Sequence, residues 1–196
     1  MKLIFEYSVE SEINRVKSTI NKKDFFKKIE YRLGFPEGFS LDSTDFSDLE
    51  KQIKKELAPD KVELAKKQIM DKWTKSSKYI ESFVDSLPYD KPETLNIVLT
   101  QYGVGGSYWP PNRVIINLHF ARKDLFETVT HELVHLLIEG PVIQKYQIKH
   151  ESKEALIDYI GSHNKYLKKA LPDYHLQERF VSELPDKKFI DKLTWL

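Results

Sequence analysis

The segment from Pro59 to Leu87 restricts the fold more than any other part of the chain, because its apolar residues form one unbroken stripe. Apolar or small side chains recur at steps of three or four residues, which place them on one face of an α-helix: Val62, Ala65, Ile69, Trp73, Ser76, Ile80, Phe83 and Leu87. Coiled coils usually sustain such a pattern for longer. We therefore predict that the stripe packs on the rest of this protein, with a partner-binding or coiled-coil helix as the alternative.

The remaining segments predict short strands and further helices. Runs of β-prone residues predict strands at 1–9, 94–100 and 113–120. Amphipathic stretches that end at glycine or proline predict helices at 11–33 and 45–57, and the chain from Asp124 on is again helical. Between the last two strands, the glycine-rich segment from Gly103 to Trp109 is predicted to be a long turn.

This order of elements predicts an α+β fold, mostly helical, with a small mixed or antiparallel sheet. The composition shifts near Pro88 to Pro92, where we place a soft boundary. We expect a helical N-terminal region, 1–90, to pack on a core formed by 91–196.

Composition excludes several kinds of chemistry and partner. The 196 residues contain no cysteine, which excludes disulfides, cysteine-ligated zinc, iron–sulfur clusters and thiol catalysis. Lys and Arg number 31 against 30 Asp and Glu, a formal net charge of +1. A nucleic-acid binder with a broad basic footprint is usually more basic, so no nucleic-acid partner is expected.

No apolar run is long enough to suggest a membrane or export segment. The first residues place only three consecutive apolar side chains before Glu6, too few for the apolar region of a signal peptide. The apolar runs elsewhere are too short to cross a bilayer. We expect a cytoplasmic protein with no membrane contact.

Residues 128–137, Thr-Val-Thr-His-Glu-Leu-Val-His-Leu-Leu, lie in a helix with clear end signals. Asp124 is suited to cap its start, and Glu127 follows three residues later, as in a capping box. Gly140-Pro141 is suited to close its end. The helix is therefore expected to run from Asp124 to about Gly140.

Two histidines and a glutamate in this helix form a candidate metal site. His131 and His135 are four positions apart, so both imidazoles project from one face and can bind one Zn²⁺. Glu132 flanks the metal, where it can accept a proton from a metal-bound water. The alternative is a helix in which two half-buried histidines pair with carboxylates.

The motif His131-Glu132-x-x-His135 resembles the signature of the zincin metallopeptidases. Such a site needs a third protein ligand and leaves the fourth position for water. The motif Glu154-x-x-x-Asp158, 19 positions after His135, resembles the third-ligand motif of gluzincins. The resemblance implies that Glu154 binds zinc and that Asp158 holds the outer N–H of His131, fixing its tautomer.

Other residues near this motif remain alternatives. The third ligand could instead be Glu151, His150 or His163. Gly161 continues the face of Asp158 and would let the two helices approach closely. Gluzincins also supply a tyrosine or histidine that stabilises the oxyanion, and the sequence does not choose among the candidates: Tyr159, His163, Tyr166, Tyr174 and His175.

The resemblance also implies where a substrate binds. In gluzincins an edge strand beside the active site pairs with an extended peptide, and the strand at 113–120 stands in the corresponding place. The alternative is an ordinary strand within the sheet. The last stretch, 180–196, is expected to be a docked helix rather than a recognition tag.

The resemblance covers about residues 113–161 and implies a zinc-dependent hydrolase with a zincin-like, gluzincin-type core. The most direct hypothesis is a metallopeptidase acting on a peptide or protein, with His131, His135 and Glu154 as zinc ligands. Glu132 would be the general base. The alternative is a binding or regulatory module with a non-catalytic metal held by four protein ligands. Metal-assisted RNA cleavage is a third hypothesis, and the near-neutral charge argues against it.

Overall fold

A four-stranded mixed sheet organises the computed structural model, which describes residues 1–29, 31–120, 124–174 and 182–193. Its strands are β1 (Lys2–Glu6), β2 (Thr94–Thr100), β3 (Gly106–Trp109) and β4 (Arg113–Asn117). They lie in the order β1-β2-β4-β3. β2 pairs in parallel with both β1 and β4, and β3 pairs antiparallel with β4. β3 therefore forms one edge of this sheet.

Helices make up most of the described chain, which confirms the predicted α+β class with a small mixed sheet. They are α1 (Val9–Asn21), α2 (Lys23–Ile29), α3 (Leu49–Glu56), α4 (Pro59–Ser86), α5 (Leu125–Ile138), α6 (His150–His163), α7 (Leu167–Ala170) and α8 (Lys187–Ile190). A π-helical segment, Glu139–Gln144, follows α5. None of the described helices combines the length and the apolar composition that crossing a membrane requires.

The apolar stripe of α4 packs on the protein itself, as predicted. Its members Ile69, Ile80 and Phe83 are fully buried and belong to the main core together with β2, β4, α5 and α6. Ser76 is only partly buried, and its hydroxyl donates to the carbonyl of Ala170 at 3.4 Å. α4 thus forms a long support beneath α5 and α7.

The predicted helix at 11–33 is two helices, because Lys22 leaves the helical conformation with φ −102° and ψ 21°. The break redirects α2 so that Phe26 is buried and Phe25 reaches the ring of His150. The helix predicted at 45–57 begins later, at Leu49, because the Asp45 carboxylate accepts from the N–H of Ser47 in a tight turn. Tertiary contacts and turn chemistry outweighed the periodic pattern in both places.

The central strands differ from the prediction in their number, in where the last one ends and in which one forms the edge. Residues Gly106–Trp109, expected to lie in a long turn, form β3. The strand predicted at 113–120 ends at Asn117, whose side-chain oxygen accepts from the N–H groups of His119 and Phe120. β4 lies between β2 and β3, so the expected edge strand is β3 and not β4.

α1 joins the first residues to the carboxyl end of β2 through a buried carboxylate. Glu12 accepts from the N–H of Gln101 at 2.9 Å and from the hydroxyl of Thr100. α1 also contributes to a second apolar cluster, which is formed by Val16, Ile20, Leu49, Ile53 and Tyr102. The sheet itself takes β1 from the region 1–90 and its other strands from 91–196. The division into those two regions stays a prediction.

Replacing Glu12 by glutamine is expected to remove a pH dependence of stability. Burial raises the pKa of Glu12 from 4.5 to about 7, so between those values the folded chain holds a proton that the unfolded chain has released. The contribution of Glu12 to stability is therefore fully present below pH 4.5 and is lost as the pH rises to about 7, by roughly 3 kcal/mol at 1.36 kcal/mol per pKa unit. Urea unfolding of wild type and Glu12→Gln between pH 4.5 and 8 measures this difference. A difference that stays constant over this range would contradict the raised pKa.

Candidate metal centre

α5 holds the two histidines of the motif inside the protein. The Asp124 carboxylate caps the helix by accepting from the N–H of Glu127 at 2.9 Å, as predicted. Every residue from Phe126 to Ile138 is buried, which fits the uncharged residues around the motif. The helix does not close at Gly140-Pro141 as expected, since the chain continues there as the π-helical segment.

The structure brings His131, His135 and Glu154 together between α5 and α6. The two Nε2 atoms are 3.0 Å apart, and each lies 3.4 Å from one carboxylate oxygen of Glu154. Ligand atoms of a tetrahedral zinc with bonds of about 2.0–2.1 Å lie roughly 3.3–3.4 Å from one another. The three side chains could therefore hold a metal ion, and their ligand atoms form a cluster within 4.8 Å.

The alternative third ligands lie outside this cluster. Glu151 and His163 are exposed on α6, and the His163 ring stacks on Tyr159. His150 is nearer, with its Nδ1 3.9 Å from the Glu154 carboxylate, but its Nε2 lies 3.0 Å from the Tyr31 hydroxyl. Glu154 is thus the residue that the fold presents to both motif histidines.

Tyr174 connects His131 to Asp158. The Tyr174 hydroxyl donates to Asp158 Oδ1 at 2.8 Å and lies 2.8 Å from His131 Nδ1. Since the hydroxyl proton points to Asp158, His131 Nδ1–H donates to the hydroxyl oxygen, which leaves the lone pair on Nε2 facing Glu154. Asp158 Oδ1 itself is 3.4 Å from His131 Nδ1. The Tyr174 hydroxyl therefore bridges the two residues between which a direct contact was predicted.

Gly161 provides the space for Tyr174. A Cβ atom on Gly161 would lie 2.6 Å from the tyrosine ring. The glycine therefore admits an aromatic side chain, where the sequence suggested a close approach of two helices. Tyr174 is buried behind His131, and its role as a hydrogen-bond bridge was not foreseen from the sequence.

His135 is oriented by stacking. The Tyr108 ring of β3 lies parallel to it, with centroids 4.8 Å apart and planes at 7°. Among the described residues, no hydrogen-bond partner reaches the buried His135 Nδ1. Burial lowers the pKa of His135 to about 4, so the ring is neutral at neutral pH and keeps a lone pair for a metal. Burial alone would raise the pKa of Glu154, but the two neighbouring histidines hold it well below its usual range.

Glu132 lies beneath the edge strand. It is buried, and a Cβ atom on Gly106 would stand 2.3 Å from its Oε1. Only a residue without a side chain leaves room for the carboxylate at that point of β3. The edge strand and the predicted general base are therefore in direct contact.

The N-terminal helix adds a buried cation that the sequence analysis missed. Arg15 donates to the Ser107 hydroxyl at 2.9 Å and to the Val104 carbonyl at 3.3 Å. Burial lowers its pKa to about 10, and the negative charges of Glu132 and Glu12 counteract that effect, so Arg15 is charged at neutral pH. The sequence did contain a signal for this cation. Glu12 and Arg15 lie on the same face of α1 as the apolar residues Val16 and Ile20.

A cleft of about 840 Å³ is lined by Arg15, His131, Glu132, His135 and Glu154, among other residues. The residues that line it come from α1, α2 and the segment that follows, from β3 and its neighbours in the chain, and from α5, the π-helical segment and α6. Of the five oxyanion candidates, His175 lies outside the described residues, and the other four do not line the cleft. Of the stretch 180–196, the described part contains the short helix α8.

Comparison with known proteins adds nothing to the geometry of the centre, because no protein-family model, no curated protein and no solved structure matches this chain. The chemistry of the centre is therefore inferred from its own residues. What the geometry offers is two imidazole nitrogens and a carboxylate at ligand distances, a second carboxylate beside them and an open cleft in front. That set of donors could hold a metal ion.

Replacing Tyr174 by phenylalanine is expected to lower zinc affinity about 10- to 100-fold, the usual effect of losing a partner that orients a ligand histidine. His131 loses the hydroxyl that fixes its tautomer, while the ring that fills the space at Gly161 remains. Competition with a chelating dye measures the affinity. Tyr146→Phe, at an exposed tyrosine, is the matched control. Equal affinities of the two variants would rule out the bridging role.

Proposed function

We propose that this protein is a zinc-dependent metallopeptidase with a zincin-like core. The observation that carries the proposal is the meeting of His131, His135 and Glu154 at zinc-ligand distances, with Glu132 beside them in an accessible cleft. These three residues would hold Zn²⁺, which would supply a Lewis acid for the scissile carbonyl and would lower the pKa of a bound water towards about 7.

Glu132 is the proposed general base. Its carboxylate would accept a proton from the water that attacks the peptide carbonyl, and would deliver that proton to the amine nitrogen as the C–N bond breaks. The buried cation of Arg15 attracts this carboxylate and favours the ionised form that a base requires. Contact with Gly106 limits where the carboxylate can lie.

The outer edge of β3 is the proposed site for the substrate main chain. β3 is the outer strand of the sheet on the side of the cleft, and Gly106, Ser107, Tyr108 and Trp109 all line that cleft. An extended peptide can pair with such an edge through main-chain hydrogen bonds with little demand on its sequence. This assignment transfers the role expected of the strand at 113–120 to β3.

The number of converging ligands favours a hydrolytic over a structural metal. A structural zinc is held by four protein ligands, whereas a catalytic one keeps a position open. In the described part of the chain, three ligand side chains form the cluster. A fourth position that opens on the cleft next to Glu132 is what hydrolysis needs.

Replacing Glu132 by glutamine tests the proposal. Wild type given zinc is expected to hold about one ion per chain and to cleave peptides from a mixed library, while Glu132→Gln keeps the ion and loses activity by about 10²- to 10⁴-fold. Elemental analysis and mass-spectrometric detection of products are the measurements. Glu154→Ala is expected to lose or weaken zinc binding. A Glu132→Gln variant that cleaves at the wild-type rate with zinc bound would refute the mechanism.

Replacing Gly106 by alanine tests the contact between β3 and the base. The added methyl group would displace the Glu132 carboxylate, and a shift of about 1 Å in a catalytic group can cost 10²-fold in rate. We expect a loss of that order with zinc content unchanged. Gly140→Ala is the control, because a Cβ there meets no atom within 4 Å. Full activity of Gly106→Ala would show that the base does not depend on this contact.

A further inference from the structure

Charged residues of both signs line the cleft and are unevenly distributed. The described residues of α1, α2 and the following segment that line it include Arg15, Lys22 and Arg32 and no carboxylate. The carboxylates among the described lining residues come from α5, the π-helical segment and α6: Glu132, Glu139 and Glu154. The part of the lining that comes from α1, α2 and the following segment is therefore cationic, and Lys153 of α6 adds a further cation.

Three cations of the cleft lie over aromatic rings. Lys22 Nζ is 5.5 Å from the Trp109 ring centroid, and Arg32 Cζ is 4.4 Å from that of Phe120. Lys153 Nζ lies 5.4 Å from the ring centroid of Tyr108 and 3.0 Å from its hydroxyl. A cation–π contact orients a cation without neutralising it.

These cations keep their charge for a ligand. Within the ranges that the structure describes, no salt bridge joins Lys22, Arg32 or Lys153 to a carboxylate. Each of the three carboxylates of the cleft already has a partner: Glu154 faces the histidines, Glu132 interacts with the charge of Arg15, and Glu139 accepts a hydrogen bond from the Tyr108 hydroxyl at 2.5 Å. The charge left for recognition is positive.

The aromatic partners place this charge along the proposed path of the substrate. Tyr108 and Trp109 belong to β3, so a peptide paired with that edge would pass Lys153 and Lys22. From this arrangement we infer that the cleft selects peptide segments with acidic side chains along the stretch that lies on β3. The inference rests on the proposed peptidase function and adds the chemical class of its substrate.

Cations that lie over aromatic rings could also hold a single-stranded nucleic acid. One observation favours a peptide. The outer edge of β3 lines the cleft, and the main chain of an edge strand offers paired donors and acceptors that match an extended peptide.

The test compares matched peptides that differ in charge alone. Zinc-loaded full-length protein receives peptide sets with glutamate, glutamine or lysine at each position around the cleaved bond. We expect the order glutamate, glutamine, lysine, with a factor of about two to five per charge, as for exposed ion pairs, and a smaller factor in high salt. In Lys22→Gln and Arg32→Gln the preference for glutamate is expected to shrink, while Lys67→Gln, at an exposed lysine of α4 that does not line the cleft, leaves it unchanged.

Binding separates this inference from the proposed function. Fluorescence anisotropy of labelled peptides on zinc-loaded Glu132→Gln is expected to show the same preference for glutamate without any cleavage. Cleavage that depends on Glu132 but does not distinguish glutamate from glutamine overturns the inference and leaves the peptidase standing. Absence of cleavage with zinc bound, together with tighter binding of acidic peptides, refutes the peptidase and supports an acidic-peptide site. Tighter binding of oligouridylate than of the acidic peptides overturns the inference in favour of nucleic acid.

Discussion

The meeting of two imidazoles and a carboxylate between α5 and α6 is the arrangement on which the rest of the structure depends. Burial of such groups is costly unless each polar atom has a partner or a ligand. Tyr174 and Asp158 orient His131 through hydrogen bonds, and Tyr108 orients His135 by stacking. The support of α5 by α4 and the sheet keeps these groups at distances that suit a metal ion.

The first residues of the chain are part of this site. Arg15 reaches from α1 to the segment before β3, where Gly103 has φ +77° and a Cβ would stand 2.3 Å from the Arg15 Nε. Gly106 makes similar room for Glu132. Two glycines thus let a cation and a carboxylate approach the backbone closely. The same region places Lys22 in the lining of the cleft that contains His131, His135 and Glu154.

Local chemistry explains what could be predicted from the sequence. The spacing of His131 and His135 is a property of one helix, so their shared direction needs no other part of the chain. The stripe of α4 and the cap at Asp124 are local in the same sense. The proximity of Glu154 came from resemblance to a motif, and the geometry places its carboxylate by both histidines, while its role as a ligand stays a prediction.

By itself, then, the sequence determined the α+β class, the long helix and the histidine pair, because periodicity and capping act within a few residues. Tertiary structure alone decided that β3 is the edge strand and that Arg15 and Tyr174 belong to the site. The hydrogen bonds of Arg15 with Ser107 and of Tyr174 with His131 join segments far apart in the chain. Such contacts leave no spacing pattern, since they depend on how whole elements pack and not on which residues follow one another.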